Sequence, residues 1–470
     1  MFIRVTVVLS LLLVLATSSF SFERYINSVA SPSDNLVWFA LKHNAPSAHQ
    51  FVVERFPIES NAWFNSAKFV AISDADIANQ LAQIYEQKGD YQNAVSYWQQ
   101  SIMLGNDESV YELASFYYLQ EKYDVAWQLL AKARLDNINE NKQWLMARAS
   151  LAVGSELSSI VSQNDRYLNK FSLFGYAPEA IVPAKVMNRC EHSITLVAGN
   201  YEDLRHWQHI KAAYDNSPLA EQVCVKAIQY IPLLDLVCEH DIEKAIQCSE
   251  SFWKKWAHLI TSKYIAVLRP KGGANVHFGI LYLDRTDTAQ VFQHEVAHLV
   301  GFADEYTLSA THNICNGGID KIHINFSLLA RKDINGNMVT LKNAQKVPWF
   351  KAMRNEGLAV RDSYPIGEAL TEQGLGFFIS ETCSANKENI ALKPLRERGF
   401  MRNYNLPVPD QYLTLLDQSE ETSLMPPFTY NIALALYQEG KVEQAKEWLV
   451  TSATFFQSPD IQTKTLRGGF

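Results

Sequence analysis

The sequence predicts an α+β protein in three parts: an N-terminal α-helical region, a central domain in which a twisted sheet backs a buried helix, and a C-terminal helical hairpin. Three observations carry that prediction. A helical pattern repeats at an interval of 32 residues between 76 and 135 and returns near 432–449. Short apolar runs bounded by turn residues, at 193–199, 264–268 and 279–283, read as buried strands. A histidine- and acid-bearing amphipathic stretch, 291–306, follows the last of them. At 470 residues the chain has room for two or three domains.

Residues 1–21 read as a secretory signal peptide. Arg4 gives a positive start, 5–16 an apolar core, and Ser19-Phe20-Ser21 a small-x-small cleavage pattern. The apolar run is short for a bilayer span, and no cysteine follows it to take a lipid. The expected address is periplasmic or secreted, with no stable membrane span after signal removal. Six cysteines fit that address: Cys190, Cys224, Cys238 and Cys248 are expected to pair among themselves, and Cys315 with Cys383. No C-x-x-C is present, which argues against a cysteine zinc site or a dithiol redox motif. The net charge of -8 argues against a nucleic-acid partner.

The α-helical region spans 22–175. A leading helical segment is expected over 23–75. Within 76–135, Leu81-Ala82, Tyr85, Gly89, Tyr91, Ala94 and Trp98 recur as Leu113-Ala114, Tyr117, Glu121, Tyr123, Ala126 and Leu130. The interval of 32 is close to the ~34 residues of a tetratricopeptide repeat. Small residues fall where paired helices cross and large ones where they lock. Stacked pairs of this kind form a solenoid with a concave face, so a protein partner on the repeats is expected. Residues 138–170 read as a further, less regular pair, and 171–189 as a linker. A third copy, Ile432-Ala433, Leu436, Gly440, Val442, Ala445 and Leu449, lies in the C-terminal hairpin at 425–460. One hairpin alone is marginal, so it is expected to pack on the repeats or on the central domain.

The central domain runs over 185–415. Residues 203–213 have a helical period between the first two strands. Gly272-Gly273 gives a flexible turn, and lacks the further glycines and lysine-serine end of a phosphate loop. The run 279–283 is taken as the sheet edge, where an extended peptide would add as a strand. Beyond the amphipathic stretch, 309–316 is loop-like and its His312 reads as a surface or supporting residue. Residues 333–337 read as a tight turn without the distal acid of a calcium loop, and 347–356 as helical.

The chemistry lies in 291–306. It contains His294-Glu295-Val296-Ala297-His298, then Gly301, Asp304, Glu305 and Tyr306. Histidines at i and i+4 share one helix face, so their rings can converge on one zinc ion. Glu295 stands beside the first ring, where it can take a proton from a zinc-held water. Flanking Val291, Phe292, Val296, Leu299 and Val300 bury the helix, and a buried His-Glu-His set needs partners. Gly301 can end the helix in the left-handed conformation and turn the chain back. Asp304 then falls at the tenth position after His294, where the metzincin pattern H-E-x-x-H-x-x-G-x-x-H has its third ligand. Asp304 is taken as that ligand, with Glu305 the alternative.

The run H-E-V-A-H-L-V-G-F-A-D-E-Y resembles the signature of the IgA-peptidase family of bacterial metallopeptidases, which ends in the same Asp-Glu-Tyr. The resemblance covers about 190–410 and is loose outside the motif. It implies a zincin/metzincin-like catalytic domain with His294, His298 and Asp304 on zinc and Glu295 as catalyst. Metzincins also carry a methionine turn under the metal, and Met401, after Gly399-Phe400, is the candidate. Tyr404 is one residue further along than the usual oxyanion tyrosine, and Tyr306 is an equal contender. The expected activity is zinc-dependent endopeptidase cleavage of a protein substrate outside the cytoplasm. Two rivals are an inactive zincin-like repeat scaffold and a zinc amidase acting on cell-wall peptide.

Overall fold

The structure, a computed structural model, describes residues 38, 41–58, 60–133, 139–154, 192–239, 244–317, 323–331 and 340–467. The signal-like segment, the linker and the turn at 333–337 lie outside these residues, as does most of the helix pair read over 138–170. The chain divides into two units at Ile160/Val161.

The first unit is helical. Helices α1 (Pro46–Arg55), α2 (Asn61–Val70), α3 (Ala75–Gln87), α4 (Tyr91–Met103), α5 (Asp107–Leu119), α6 (Tyr123–Leu130) and α7 (Glu140–Val153) follow in order. Polar residues start most of them: Ser60, Asp74, Asp90, Asn106 and Asn139 each accept a backbone N–H of the first turn. The 32-residue interval becomes the hairpins α3–α4 and α5–α6. Gly89 (φ 75°) and Glu121 (φ 61°) occupy the same left-handed turn position. Each turn closes with the same bond, Asp90 N–H to Tyr85 O and Lys122 N–H to Tyr117 O, both 2.9 Å. The crossing residues Ala94 and Ala126 are fully buried.

In the second unit the order is β1 (His192–Ala198), α8 (Tyr201–Tyr214), β2 (Val223–Tyr230), β3 (Tyr264–Arg269), β4 (Asn275–His277), β5 (Ile280–Asp284) and α9 (Ala289–Leu299). Next come β6 (Ser327–Ala330), β7 (Thr340–Lys342), α10 (Phe350–Asn355), β8 (Ser363–Pro365), β9 (Phe378–Ser380) and β10 (Asn389–Lys393). The chain ends with α11 (Asp410–Asp417), α12 (Phe428–Gln438), α13 (Val442–Ala453) and α14 (Pro459–Leu466). The main sheet runs β2-β1-β3-β5-β4, parallel except for the edge pair β4·β5. A three-stranded sheet β6-β10-β9 and the pair β7-β8 lie beyond the α9 helix in sequence.

The edge of the sheet corrects an expectation. Strand β5, which contains most of 279–283, is interior, and the edge is β4, paired to it as Val276 opposite Leu281. Ile280 through Leu283 are all fully buried. An unbroken apolar run of this kind marks a strand covered on both faces, and an edge strand need not show it.

Alternate strand residues face opposite ways. Val197, Ile265, Val267, Ile280 and Tyr282 share a core with Phe428, Ile432, Leu436 and Ala445 of the C-terminal hairpin α12–α13. That hairpin repeats the turn of the N-terminal ones, with Gly440 at φ 77° and Lys441 N–H bonded to Leu436 O. Helices α8 and α9 pack together, Phe292 meeting the edges of Trp207 and Tyr214. Disulfides join Cys238 to Cys248 and Cys315 to Cys383. Cys224 is also disulfide-bonded, and Cys190 lies outside the described residues. No helix among the described residues is long and apolar enough to cross a membrane.

Candidate metal centre

Helix α9 opens on Thr288, whose side chain accepts the Val291 N–H. It then carries His294, Glu295 and His298 inward along one face. The two rings stand 4.9 Å apart between centroids and nearly perpendicular, at 88°. The helix stops where Gly301 takes φ 100°. A Cβ there would come within 2.7 Å of Ser423 O, so the position needs glycine for both conformation and space. The reversal brings the following residues back beneath the helix.

Asp304 arrives on the two rings. Its Oδ1 lies 3.1 Å from His294 Nε2 and 3.3 Å from His298 Nε2. Each ring's other nitrogen meets a backbone carbonyl: His294 Nδ1 donates to Phe400 O at 3.2 Å, and His298 Nδ1 to Phe302 O at 2.9 Å. Those bonds orient the rings and aim both Nε2 atoms at the carboxylate. Glu295 also offers a carboxylate oxygen within 4.8 Å of ligand atoms on both histidines.

The donor set fits zinc. With Zn–N and Zn–O bonds near 2.1 Å, tetrahedral ligand atoms stand about 3.4 Å apart, close to the 3.1 and 3.3 Å between Asp304 Oδ1 and the two nitrogens. The electrostatics also favour a cation. Burial alone would raise the Asp304 carboxyl, but the His298 charge and hydrogen bonds from both rings hold it far below the usual range. Burial works against a charged His298 ring, yet the charge and hydrogen bond of Asp304, with Glu295 behind them, push it up to about 9. A divalent cation would take the place of that proton.

The remaining candidates separate. Glu305, the alternative ligand, points away from the rings. It is buried, with Oε2 3.2 Å from Lys393 Nζ and Oε1 accepting from Asn325 Nδ2 at 3.1 Å and from the Tyr412 hydroxyl. The carbonyls of Phe400 and Phe302, rather than Glu305, fix the histidine tautomers. Tyr306 meets the site: its ring lies 6.5 Å from that of His294, and its hydroxyl hydrogen-bonds Asp304. Burial, then the Asp304 charge and that bond, push its phenol well up. Tyr404 is 45% exposed and makes no side-chain hydrogen bond or ring contact among the described residues. Met401 is fully buried in the turn that supplies the Phe400 carbonyl. His312 caps the short helix at Asn313–Asn316, accepting from Ile314 N–H.

Sequence reasoning missed the two carbonyl acceptors and the partners of Glu305. A carbonyl has no side-chain signature, and Lys393 is 88 residues from its acid. A cavity of roughly 650 Å³ lies elsewhere, lined by Ile324, Phe326, Trp349, Leu415 and Ser423. Comparison with known proteins finds no family model and no curated protein that matches this chain.

Proposed function

We propose that the protein is a zinc-dependent endopeptidase of zincin type, cleaving a protein substrate in the periplasm or outside the cell. The observation that supports this reading is Asp304 Oδ1 lying 3.1 and 3.3 Å from two imidazole nitrogens whose tautomers are fixed from behind. His294, His298 and Asp304 would hold the ion. When bound, zinc supplies Lewis acidity and draws the pKa of water down towards ~7. Glu295 removes a proton from the attacking water and returns it to the leaving amine. Burial raises the Glu295 carboxyl, against the pull of His298 and His294, so it accepts that proton more readily. Tyr306, kept protonated, donates towards the oxygen that gains charge at the scissile carbonyl. Met401 is the proposed apolar support beneath the site.

The shared hairpin turn supports reading the N-terminal helices and the α12–α13 pair as tetratricopeptide-like, the former offering a surface for a protein partner. The disulfides support an oxidising address. Changing Glu295→Gln tests the mechanism. Zinc content measured by mass spectrometry should stay at the wild-type level, while hydrolysis of a peptide library falls by roughly 10²–10⁴-fold. Undiminished cleavage by this variant refutes the assignment. Zinc bound with no cleavage by the wild type favours the scaffold.

A further inference from the structure

The backbone that carries Asp304 is fixed by its neighbours, independently of what its own carboxylate contacts. On one side, Asn325 pairs with both backbone groups of Ala303: Ala303 N–H donates to Oδ1 at 2.7 Å, and Nδ2 donates to Ala303 O at 2.9 Å. On the other side, Glu305 N–H donates to Met401 O at 3.0 Å. Between them, the Asp304 carbonyl accepts from Thr382 Oγ1 at 2.7 Å. The backbone of 303–305 is thus tied at every residue, and the Asp304 carboxylate is left to face the rings.

One buried acid links these ties. The Glu305 carboxylate receives Asn325 Nδ2, Lys393 Nζ and the Tyr412 hydroxyl. Lys393 also donates to Glu397 O at 2.6 Å, which anchors the approach to the Gly399–Asn403 turn. That turn presents two successive carbonyls: Phe400 O fixes His294, and Met401 O fixes Glu305. The side chains of Glu305 and Lys393 are 2% and 7% exposed. A buried ion pair of this kind is weak evidence for stability, because an apolar pair of similar volume often does as well. What an apolar pair cannot do is dictate where three segments distant in sequence meet.

We propose that Glu305, with Lys393, Asn325 and Tyr412, is a positioning group that sets the third ligand. It aligns Asp304 and the carbonyl behind His294 for a divalent cation, and it binds no metal itself. The inference rests on the zinc-site reading above. Removing the network leaves the two imidazoles on their helix but lets the carboxylate wander, so affinity and coordination geometry should change together.

The test uses the full-length protein, a chelator competition for zinc and the visible absorption of the cobalt-substituted form. The variant Glu305→Met/Lys393→Met removes both charges, so no unpaired charge is left buried. Tyr412→Phe removes a single hydroxyl and serves alone if the double variant does not fold. The double variant is expected to bind zinc at least ~10-fold more weakly with an altered cobalt spectrum. Tyr412→Phe is expected to weaken zinc several-fold, with its unfolding midpoint only a few degrees below wild type. Wild-type zinc affinity and an unchanged cobalt spectrum in the folded variants overturn the proposal. Asp304→Ala separates the two levels: if it also binds zinc like wild type, the metal-site reading itself fails.

Discussion

At Gly279 the backbone leading into the C-terminal hairpin lies directly against the start of β5. A Cβ placed there would sit 2.2 Å from Phe428 N, 2.4 Å from Pro427 C and 2.6 Å from Pro426 O, all backbone atoms. Ordinary contact begins at 3.4 Å, so in Gly279→Ala the start of α12 must withdraw by about 1.2 Å, the difference between 3.4 and 2.2 Å. That movement stretches the bond from Phe428 N–H to Lys263 O, now 3.0 Å, and the one from Gly279 N–H to Asn431 Oδ1, now 3.2 Å. Each buried hydrogen bond is worth about 1 kcal/mol, so losing both costs about 2 kcal/mol. Loosened packing of Phe428 and Ile432 brings the total to about 3–4 kcal/mol. For a unit of this size that lowers the melting temperature by roughly 5–6 °C. Thermal unfolding followed by far-UV circular dichroism reads the shift. If Gly279→Ala melts within 1 °C of wild type, the hairpin is not the close-packed layer of the sheet described above.

Other outcomes follow from single residues. Gly301→Ala meets both a left-handed φ and the Ser423 carbonyl, so it should lose about 2–4 kcal/mol of stability and much of its zinc affinity. Gly317→Ala, left-handed at φ 71° but with its nearest neighbour 3.9 Å away, should lose only about 1 kcal/mol; equal losses in the two variants refute the steric argument. His192 is pushed down to about 4, by burial first and then by the charge of Lys263. The unfolded ring takes its proton near pH 6.5 and the folded one only near 4, so acidification through that window favours the unfolded chain by roughly 2–3 kcal/mol. Urea titrations of wild type and His192→Gln at pH 7 and pH 4 check this, and equal pH dependence in both would show that the ring carries no such linkage.

The convergence of the candidate ligands was largely legible in the sequence, and their support was not. Spacing put His294 and His298 on one face and made Gly301 the turn, because both rest on local backbone geometry. Choosing between Asp304 and Glu305 needed coordinates. The two acids are adjacent, and their different fates depend on Lys393, Tyr412 and Asn325, which arrive from three other segments. The same limit explains the sheet edge. An apolar run at 279–283 shows burial but not rank order, and the true edge, Asn275–His277, is too short and polar to stand out. Tyr404 resembled a site residue by sequence neighbourhood alone, whereas Tyr306 follows the ligand on the same turn and stays with it. The C-terminal hairpin was visible as a helical copy of the repeats, but its contact with β5 hinges on Gly279, whose missing side chain leaves no periodic trace.

The Cys315–Cys383 bridge lies directly beside one of the ties that hold the 303–305 backbone. Cys383 follows directly on Thr382, the residue whose hydroxyl grips the Asp304 carbonyl and whose own carbonyl takes the Leu308 N–H. Covalent closure across a separation of 68 residues removes about 4 kcal/mol of chain entropy from the unfolded state. A reduced polypeptide lacks this covalent closure between the segment at 315 and the one that carries Thr382. Reduction would return that entropy to the unfolded chain and weaken the closure beside the Thr382–Asp304 bond.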